Sequence, residues 1–456
     1  MFDDTIAAIA TPLGEGGLAV VRLSGPNALK IADQTFQPRG KSARKPSEAA
    51  THTIHYGRVM RASKVVDEVL LAVMRAPRTF TREDVVEITC HGGLLPAKLV
   101  LDAVLEAGAR LAAPGEFTKR AFLNGRIDLT QAEAVADLIH SRTELALDAA
   151  NEQLAGKLSQ RINQLRDELL KTLAHIEAHI DFPDEDISPD TREKLRGRLK
   201  GGLAFMDELI RTANEGQILR RGIRVAIIGR PNVGKSSLLN QLLGHDRAIV
   251  SASPGTTRDT IEETANIRGL PVVFVDTAGL RESGDAIELE GIRRSREALA
   301  RAEIILHVLD AAEPLTKADE HSLAEFAQRK RILVCNKSDL PRRLELPSGQ
   351  TSPVTEVSCL TGHGLERLKD QIKELVWSGD IKAEMLQVMI NSRHQEALQR
   401  AQAATQRTLQ SLEDNLTLEL VAMDLRIAVN AVGEIVGKTA TEDLLDSIFS
   451  QFCIGK

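Results

Sequence analysis

The sequence predicts a multidomain protein of combined α/β and all-α class: an N-terminal α/β domain, a helical domain, and a P-loop α/β domain inserted into the helical one. Three observations point there. The chain has 456 residues, room for roughly three cores at about 150 residues each. A Gly229-Arg-Pro-Asn-Val-Gly-Lys-Ser236 loop stands between an apolar β-branched run and an apolar helical run. Stretches rich in Ala, Leu, Glu and Gln lie on both sides of that unit.

Composition closes off other classes. With 43% apolar and 27% charged residues, disorder, collagen-like repeats and disulfide scaffolds are excluded. Lys plus Arg number 58 against 64 acidic residues, a formal balance of −6, which argues against a generally polycationic nucleic-acid binder but leaves room for a local basic patch. Aromatics at 3% argue against modules that stack RNA bases on exposed rings. The cysteines (Cys90, Cys335, Cys359, Cys453) lie far apart with no C-x-x-C pair, which disfavours zinc knuckles and points to a reducing compartment. The start, Met1-Phe-Asp-Asp4, lacks the layout of a signal peptide, and no apolar run approaches the roughly 18 residues of a membrane span. A cytoplasmic protein with no membrane segment is expected.

In residues 1–118, Leu18–Arg22, Val65–Val73 and Val85–Thr89 read as strands, with a helix from Leu95 to Ala107. Residues 119–217 form the first helical part. Asp128-Leu-Thr-Gln131 opens it as an N-cap with a reciprocal Gln, and the stretch up to Pro183 is too long for one ordinary helix, so at least two are expected. Residues 218–375 return to strand–loop–helix alternation. Ile223–Ile228, Val272–Val275, Ile304–Leu309 and Arg331–Cys335 read as buried strands of a mainly parallel sheet covered on both faces. In residues 376–456, Leu398, Ala401, Thr405, Leu409 and Leu412 make a helical stripe. Two helical segments flanking an α/β unit are most simply one domain carrying an insertion; two separate helical domains are the alternative.

The loop ending in Lys235-Ser236 follows a strand and opens a helix, the context its G-x-x-x-x-G-K-[ST] pattern requires. Backbone N–H groups of Asn232, Val233, Gly234, Lys235, Ser236 and Ser237 would curl around phosphate oxygens, aided by the positive helix end. Lys235 would reach the β- and γ-phosphates, and Ser236 would hold Mg²⁺. Asp276-Thr277-Ala278-Gly279, after Val275, would place a carboxylate near Mg²⁺ and a Gly amide near the γ-phosphate. In Asn336-Lys337-Ser338-Asp339, the Asp339 carboxylate can accept both N1–H and N2–H₂ of guanine, a donor pair adenine lacks. Ser358-Cys359-Leu360 falls where a loop backing the base is expected. Together these segments resemble the motif set of Ras-like GTPases. The position that usually orients the attacking water is Leu280, which cannot do so; Glu282, Asp285, Glu288 and Glu290 are the alternatives. Positive charge for the transition state could come from Arg258, Arg281, or a monovalent cation beside Asn232.

Further segments extend the resemblance. Asp4-Thr-Ile-Ala-Ala with Gly16-Gly17, Phe80–Ile88, Cys90-His-Gly-Gly93, Pro114–Thr118, Arg120–Asn124 and the terminal Phe452-Cys-Ile-Gly-Lys456 make the chain resemble the MnmE (TrmE) family of tRNA-modifying GTPases over essentially its full length. The resemblance implies a homodimer whose N-terminal domain binds a folate, 5-formyl- or methylene-tetrahydrofolate. It also implies a flavin-dependent partner (MnmG/GidA), in a heterotetramer, with which an aminomethyl or carboxymethylaminomethyl group is built on C5 of the wobble uridine of tRNA. Asn232 then matches a K⁺ ligand. The loop Ser251, Ala252, Ser253, Pro254, Gly255, Thr256 and Thr257 completes the cation site, with Ser251, Ser253 and Thr256 toward K⁺ and Thr257 toward Mg²⁺. Hydrolysis would be K⁺-stimulated, with Glu288 positioning water. The folate positions fall on Arg22, Glu87, Arg126 and Lys456. Arg126 brings a planar fork where a Lys is a point donor, and Pro254 restricts Ser253. Cys453 is the candidate reactive thiol.

His175 and His179 are i, i+4 neighbours, but without the H-E-x-x-H order they read as a solvated helix face rather than a metal site. His91 reads as a turn residue. The clusters Arg39–Lys45, Arg192–Lys200 and Arg220–Arg224 read as solvated faces, any one of which could meet tRNA phosphates. A ribosome-assembly GTPase or a conformational switch is the rival function.

Overall fold

The computed structural model describes residues 2–40, 44–181, 192–244, 263–275, 299–347, 351–377 and 386–455. The N-terminal part runs β1 (Ile6–Ile9), β2 (Leu18–Ser24), α1 (Ala28–Thr35), β3 (Phe36–Pro38), β4 (Thr53–Arg61), β5 (Lys64–Met74), β6 (Val85–His91), α2 (Leu94–Glu106) and β7 (Arg110–Leu111). The strands form one sheet in the order β3-β4-β5-β6-β2-β1-β7, antiparallel except for β1 with β7. Strand alternation sorts the residues. Val21, Leu23, Val69, Leu71, Val73 and Ile88 are buried with α1 and α2, whereas Leu70 and Tyr56 face outward. The sequence missed β4, because its His55, Gly57 and Arg58 dilute the apolar alternation. Gly57 is needed there: a Cβ would strike the Gln37 carbonyl and the Phe36 ring.

Helices α3 (Glu116–Leu123), α4 (Leu129–His140), α5 (Glu144–Leu154), α6 (Lys157–Asp181), α7 (Arg192–Arg211) and α8 (Ala213–Arg221) follow. The expected capping box at Asp128 and Gln131 opens α4, satisfying two otherwise orphaned N–H groups. Three helices, not one, occupy the stretch before Pro183 because Thr143 caps a new start and Gly156 (φ +84) bends the chain before Lys157.

The central unit comprises β8 (Ile223–Ile228), α9 (Lys235–Leu243), β9 (Glu263–Ile267), β10 (Leu270–Val275), β11 (Ile304–Asp310), α10 (Lys317–Glu325), β12 (Arg331–Asn336), β13 (Val354–Glu356) and α11 (Leu365–Val376). Its sheet order is β13-β12-β11-β8-β10-β9, parallel throughout except for the β9–β10 hairpin. All four strands expected from sequence are present, buried and apolar in their central runs except for His307 in β11, as a sheet covered on two faces requires. Residues 118 and 217, where the sequence places domain limits, lie inside α3 and α8. The chain leaves α8 at Gly222 with φ +74.

The last helices are α12 (Ser392–Glu413), α13 (Leu418–Ile435) and α14 (Glu442–Phe449). Leu398, Ala401, Thr405 and Leu412 of the predicted stripe are buried, and Leu409 is partly so. They share one apolar cluster with Leu158, Ile162, Leu165 and Leu169 of α6, Leu199 and Met206 of α7, and Leu425 and Val432 of α13. A Leu so buried contributes about 2 kcal/mol, so helices from before and after the central unit stabilise one another in a single core. An ionic clasp reinforces this. Glu133 of α4 accepts from Arg393 Nε at 2.8 Å and Nη2 at 2.9 Å, from His394 Nε2 at 2.7 Å and from Asn391 Nδ2 at 3.1 Å. The fold class is therefore the expected one. No helix among the described residues is long and apolar enough to cross a membrane.

Candidate functional site

The phosphate loop lies at the C-terminal end of β8, where the parallel strands open a crevice. Gly229 (φ +147) cannot carry a Cβ, which would strike the Val308 carbonyl; Gly234 (φ +101) cannot either, because a Cβ would strike the Asn336 amide. Asn232 holds φ +65 and is exposed. Gly234 caps α9, so Lys235, Ser236 and Ser237 form its first turn with their N–H groups at the positive helix end. Lys235 Nζ donates to the carbonyls of Gly229 at 2.9 Å and Arg230 at 2.7 Å, folded across its own loop. Burial pulls this ammonium below its usual pKa, so an anion in the cradle would relieve a real desolvation penalty.

Asn336, at the end of β12, links the two halves of the site. Its Nδ2 donates to the Val233 carbonyl at 2.9 Å and its Oδ1 accepts the Cys359 N–H at 3.1 Å. Lys337 (φ +65) pairs with Asp310 at 2.5 Å, and Ser338 N–H donates to the Val357 carbonyl at 3.1 Å. Buried Ser358 donates to Asp339 Oδ1 at 2.5 Å, leaving the rest of an exposed carboxylate available as an acceptor. Gln241 of α9 holds the Cys359 carbonyl at 2.9 Å, and Leu360 stands 85% exposed. The structure thus brings together Asn232–Ser237, Asn336–Asp339 and Ser358–Leu360. Ser251–Thr257, Asp276–Gly279, Leu280, Glu288, Arg258, Arg281 and Lys456 lie outside the described residues.

A second constellation forms in the N-terminal sheet. Arg22 and Glu87 are cross-strand partners, with Nε to Oε1 at 2.7 Å. Arg22 Nη1 also donates to the Gly455 carbonyl at 3.2 Å, so the terminal segment lies against this pair. Gly455 (φ +93) fits because a Cβ there would sit 2.5 Å from the Ile9 carbonyl. The Arg22 guanidinium lies 5.8 Å from the Phe117 ring centre and the Arg126 guanidinium 5.6 Å from that of Phe80. Both rings belong to one cluster with Ile6, Ala8 and Ala112. Arg126 also donates to the Thr79 carbonyl at 2.7 Å. Arg22 and Arg126 thus each lie over a ring of the same apolar cluster.

Cys453 is exposed, and its carbonyl accepts the Gly115 N–H at 3.4 Å. Cys90, Cys335 and Cys359 are different: burial pushes their thiols up to about 11, so they are inert at neutral pH. His175 and His179 are half-buried and meet edge to face at 5.0 Å, so their face is less solvated than the sequence suggests. His91 does more than turn the chain, since its Nδ1 lies 2.7 Å from Asp67.

Sequence reasoning missed the role of Arg120. Fully buried, it donates to Asp4 Oδ1 at 2.6 Å, Glu116 Oε1 at 3.0 Å and Glu83 Oε1 at 3.2 Å. Burial alone would raise Glu116; hydrogen bonds from Arg110, the Ala113 N–H and Arg120 hold its carboxyl below the usual range. This network ties four of the motif segments together, those holding Asp4, Glu83, Glu116 and Arg120 itself. The sequence signalled Arg120 only as the first residue of the segment Arg120–Asn124, next to the apolar Ala121-Phe-Leu123.

The chain is similar to known proteins in both its N-terminal and its helical parts. The family model described as the MnmE helical domain matches residues 129–453, and the one described as the N-terminus of GTP-binding protein TrmE matches residues 5–126. The tRNA modification GTPase MnmE of Geobacillus kaustophilus (strain HTA426) is 48% identical over 99% of this chain and 99% of its own length. That of Bacillus subtilis (strain 168) is 46% identical over 99% of this chain and 100% of its own. Among solved structures, the G domain of the T. maritima FeoB iron transporter is similar at 29% identity, covering 34% of this chain and 98% of that one, with a TM-score of 0.25.

Proposed function

The chain belongs to the MnmE family, and on that premise we propose that it is a GTP-hydrolysing component of tRNA wobble-uridine modification. The observation that carries the nucleotide assignment is Asn336, which joins the phosphate loop at Val233 to the base loop at Cys359. Around it, Lys235 exchanges its two carbonyl partners for the β- and γ-phosphate oxygens. Asp339 accepts the paired donors of guanine. Ser236, Thr257 and Asp276 would hold Mg²⁺, and Asn232 with the backbone of Ser251, Ser253 and Thr256 would hold K⁺. Bound there, the two cations would supply positive charge to the phosphoryl oxygens. Exposed Asn232 and the N-terminal turn of α9 suit those roles. Glu288 orients the attacking water in place of Leu280.

Arg22, Glu87, Arg126 and Lys456 hold 5-formyl- or methylene-tetrahydrofolate, and Cys453 is the thiol placed at that end of the chain. The open sheet face supports a homodimer: Ile54 is 70%, Tyr56 48% and Leu70 47% exposed on adjacent strands. With the flavin-dependent partner (MnmG/GidA), in a heterotetramer, the protein builds an aminomethyl or carboxymethylaminomethyl group on C5 of the uridine, in the cytoplasm. Its parts are residues 1–118 for dimerisation and folate, 119–217 and 376–456 for the helical domain, and 218–375 for the G domain. Nucleoside analysis of tRNA from cells lacking this chain tests the proposal. Loss of the C5 substituent is expected; intact wobble uridine with defective ribosome assembly would favour the rival reading.

A further inference from the structure

The β9–β10 hairpin is gripped from two sides. From the corner between α4 and α5, Arg142 Nη1 donates to Thr264 Oγ1 at 2.6 Å, and Thr264 is fully buried in β9. Leu145 of the same corner packs on the hairpin turn at Gly269, 3.5 Å from where a Cβ would stand. On the other side Arg268 (φ +53) pairs with Asp370 at 2.7 Å and Glu366 at 2.9 Å on α11. Behind the turn, Leu270 shares an apolar cluster with Ala146, Leu219, Trp377, Leu386 and Met389, which come from both sides of the central unit.

The hairpin's place in the chain makes this grip consequential. In sequence, β9 follows the segment that contains Thr257, and β10 ends at Val275, directly before Asp276. β10 also pairs in parallel with β8, the strand that leads into the phosphate loop. Any shift of β9 and β10 along their axis must therefore be taken up at the Arg142 and Leu145 corner, because close-packed contacts deform poorly. Sequence reading had no access to this link: Arg142 and Thr264 are 122 residues apart and neither belongs to a nucleotide motif.

We propose that Arg142 is a positioning residue which, by holding β9 through Thr264, couples the nucleotide site to the helical layer at the Trp377 cluster. This rests on the guanine-nucleotide assignment above. Trp377 is the single tryptophan of the chain and is buried at this junction, so its emission is a built-in reporter. The test compares emission of the full-length protein with GDP and with a slowly hydrolysed GTP analogue, while affinity is measured separately by calorimetry. The wild type should differ between the two states. Arg142→Ala should bind both nucleotides within about twofold of wild type yet show a state difference reduced at least about threefold. Thr264→Val, nearly isosteric, should reproduce the loss; the double variant should be no worse than either single, and Arg142→Lys should recover part of the signal. An undiminished difference in both single variants, additive losses in the double, or a wild type that binds but shows no difference would overturn the coupling role. Absence of guanine-nucleotide binding in the wild type would instead overturn the nucleotide assignment beneath it.

Discussion

Substituting His394 by Gln should flatten the acid side of the stability profile, and the structure sets both sign and size. The imidazole has no exposed surface. Its Nδ1 accepts the Asn391 N–H at 3.3 Å, which leaves Nε2–H to donate to Glu133 at 2.7 Å; the ring is held neutral. Burial pushes it from 6.5 down to about 4, against the pull of Glu133. Between those values the unfolded chain binds the proton and the folded chain does not. Stability from this residue is therefore complete above about pH 6.5 and is lost as pH falls toward about 4. Across that window the shift amounts to about 3 kcal/mol, or about 1 kcal/mol per pH unit. Asp137 works the other way: burial pushes its carboxyl up to about 6 despite Arg220, so its contribution falls as pH rises through that range. Buried His307, also pushed down to about 4, acts in the same direction as His394. The wild-type profile is thus a partial cancellation, and only a comparison with His394→Gln isolates the residue. Its amide can still donate to Glu133, so the clasp persists. Urea unfolding followed by far-UV circular dichroism at several pH values provides the assay. If wild type and variant lose stability in parallel from about pH 6.5 to 4.5, the neutral buried histidine is refuted.

Four further outcomes are expected. Glu133→Ala leaves Arg393 uncompensated in a buried setting and should cost about 3–5 kcal/mol in the helical transition, measured by denaturant unfolding; a loss below about 1 kcal/mol would show that water replaces the carboxylate. Asp339→Asn should shift nucleotide preference away from guanine, read as the ratio of GDP to ADP affinity, and an unaltered ratio would place the base elsewhere. Glu288→Ala should lower the GTP turnover number at least about a hundredfold while GDP affinity survives, and K⁺ should accelerate the wild type where Na⁺ does not; unchanged turnover, or equal rates in the two salts, would remove the corresponding role.

Much of the candidate site was legible before any coordinate. The phosphate loop, Asn336–Asp339 and Ser358–Leu360 are local patterns, because a ligand held by backbone amides at a strand–helix turn demands particular residues at adjacent positions. The strands β8, β10, β11 and β12 were legible for a related reason: a sheet buried on both faces needs continuous apolar runs. Strand β4 was not, since Gly57 answers to the Phe36 ring across the sheet rather than to its own neighbours.

What the sequence alone determined is local: the strand–loop–helix pattern ending in Lys235-Ser236, and the short segments Asn336–Asp339 and Ser358–Leu360, each set by side-chain type and close spacing. Tertiary structure alone decided which distant groups share a dielectric. Arg120 with Asp4 and Glu83, Glu133 with Arg393 and His394, and Arg142 with Thr264 are each separated by tens to hundreds of residues along the chain. Those pairings depend on burial, which strips water from a charge and makes its partner decisive. Burial belongs to the packed core and not to any stretch of chain.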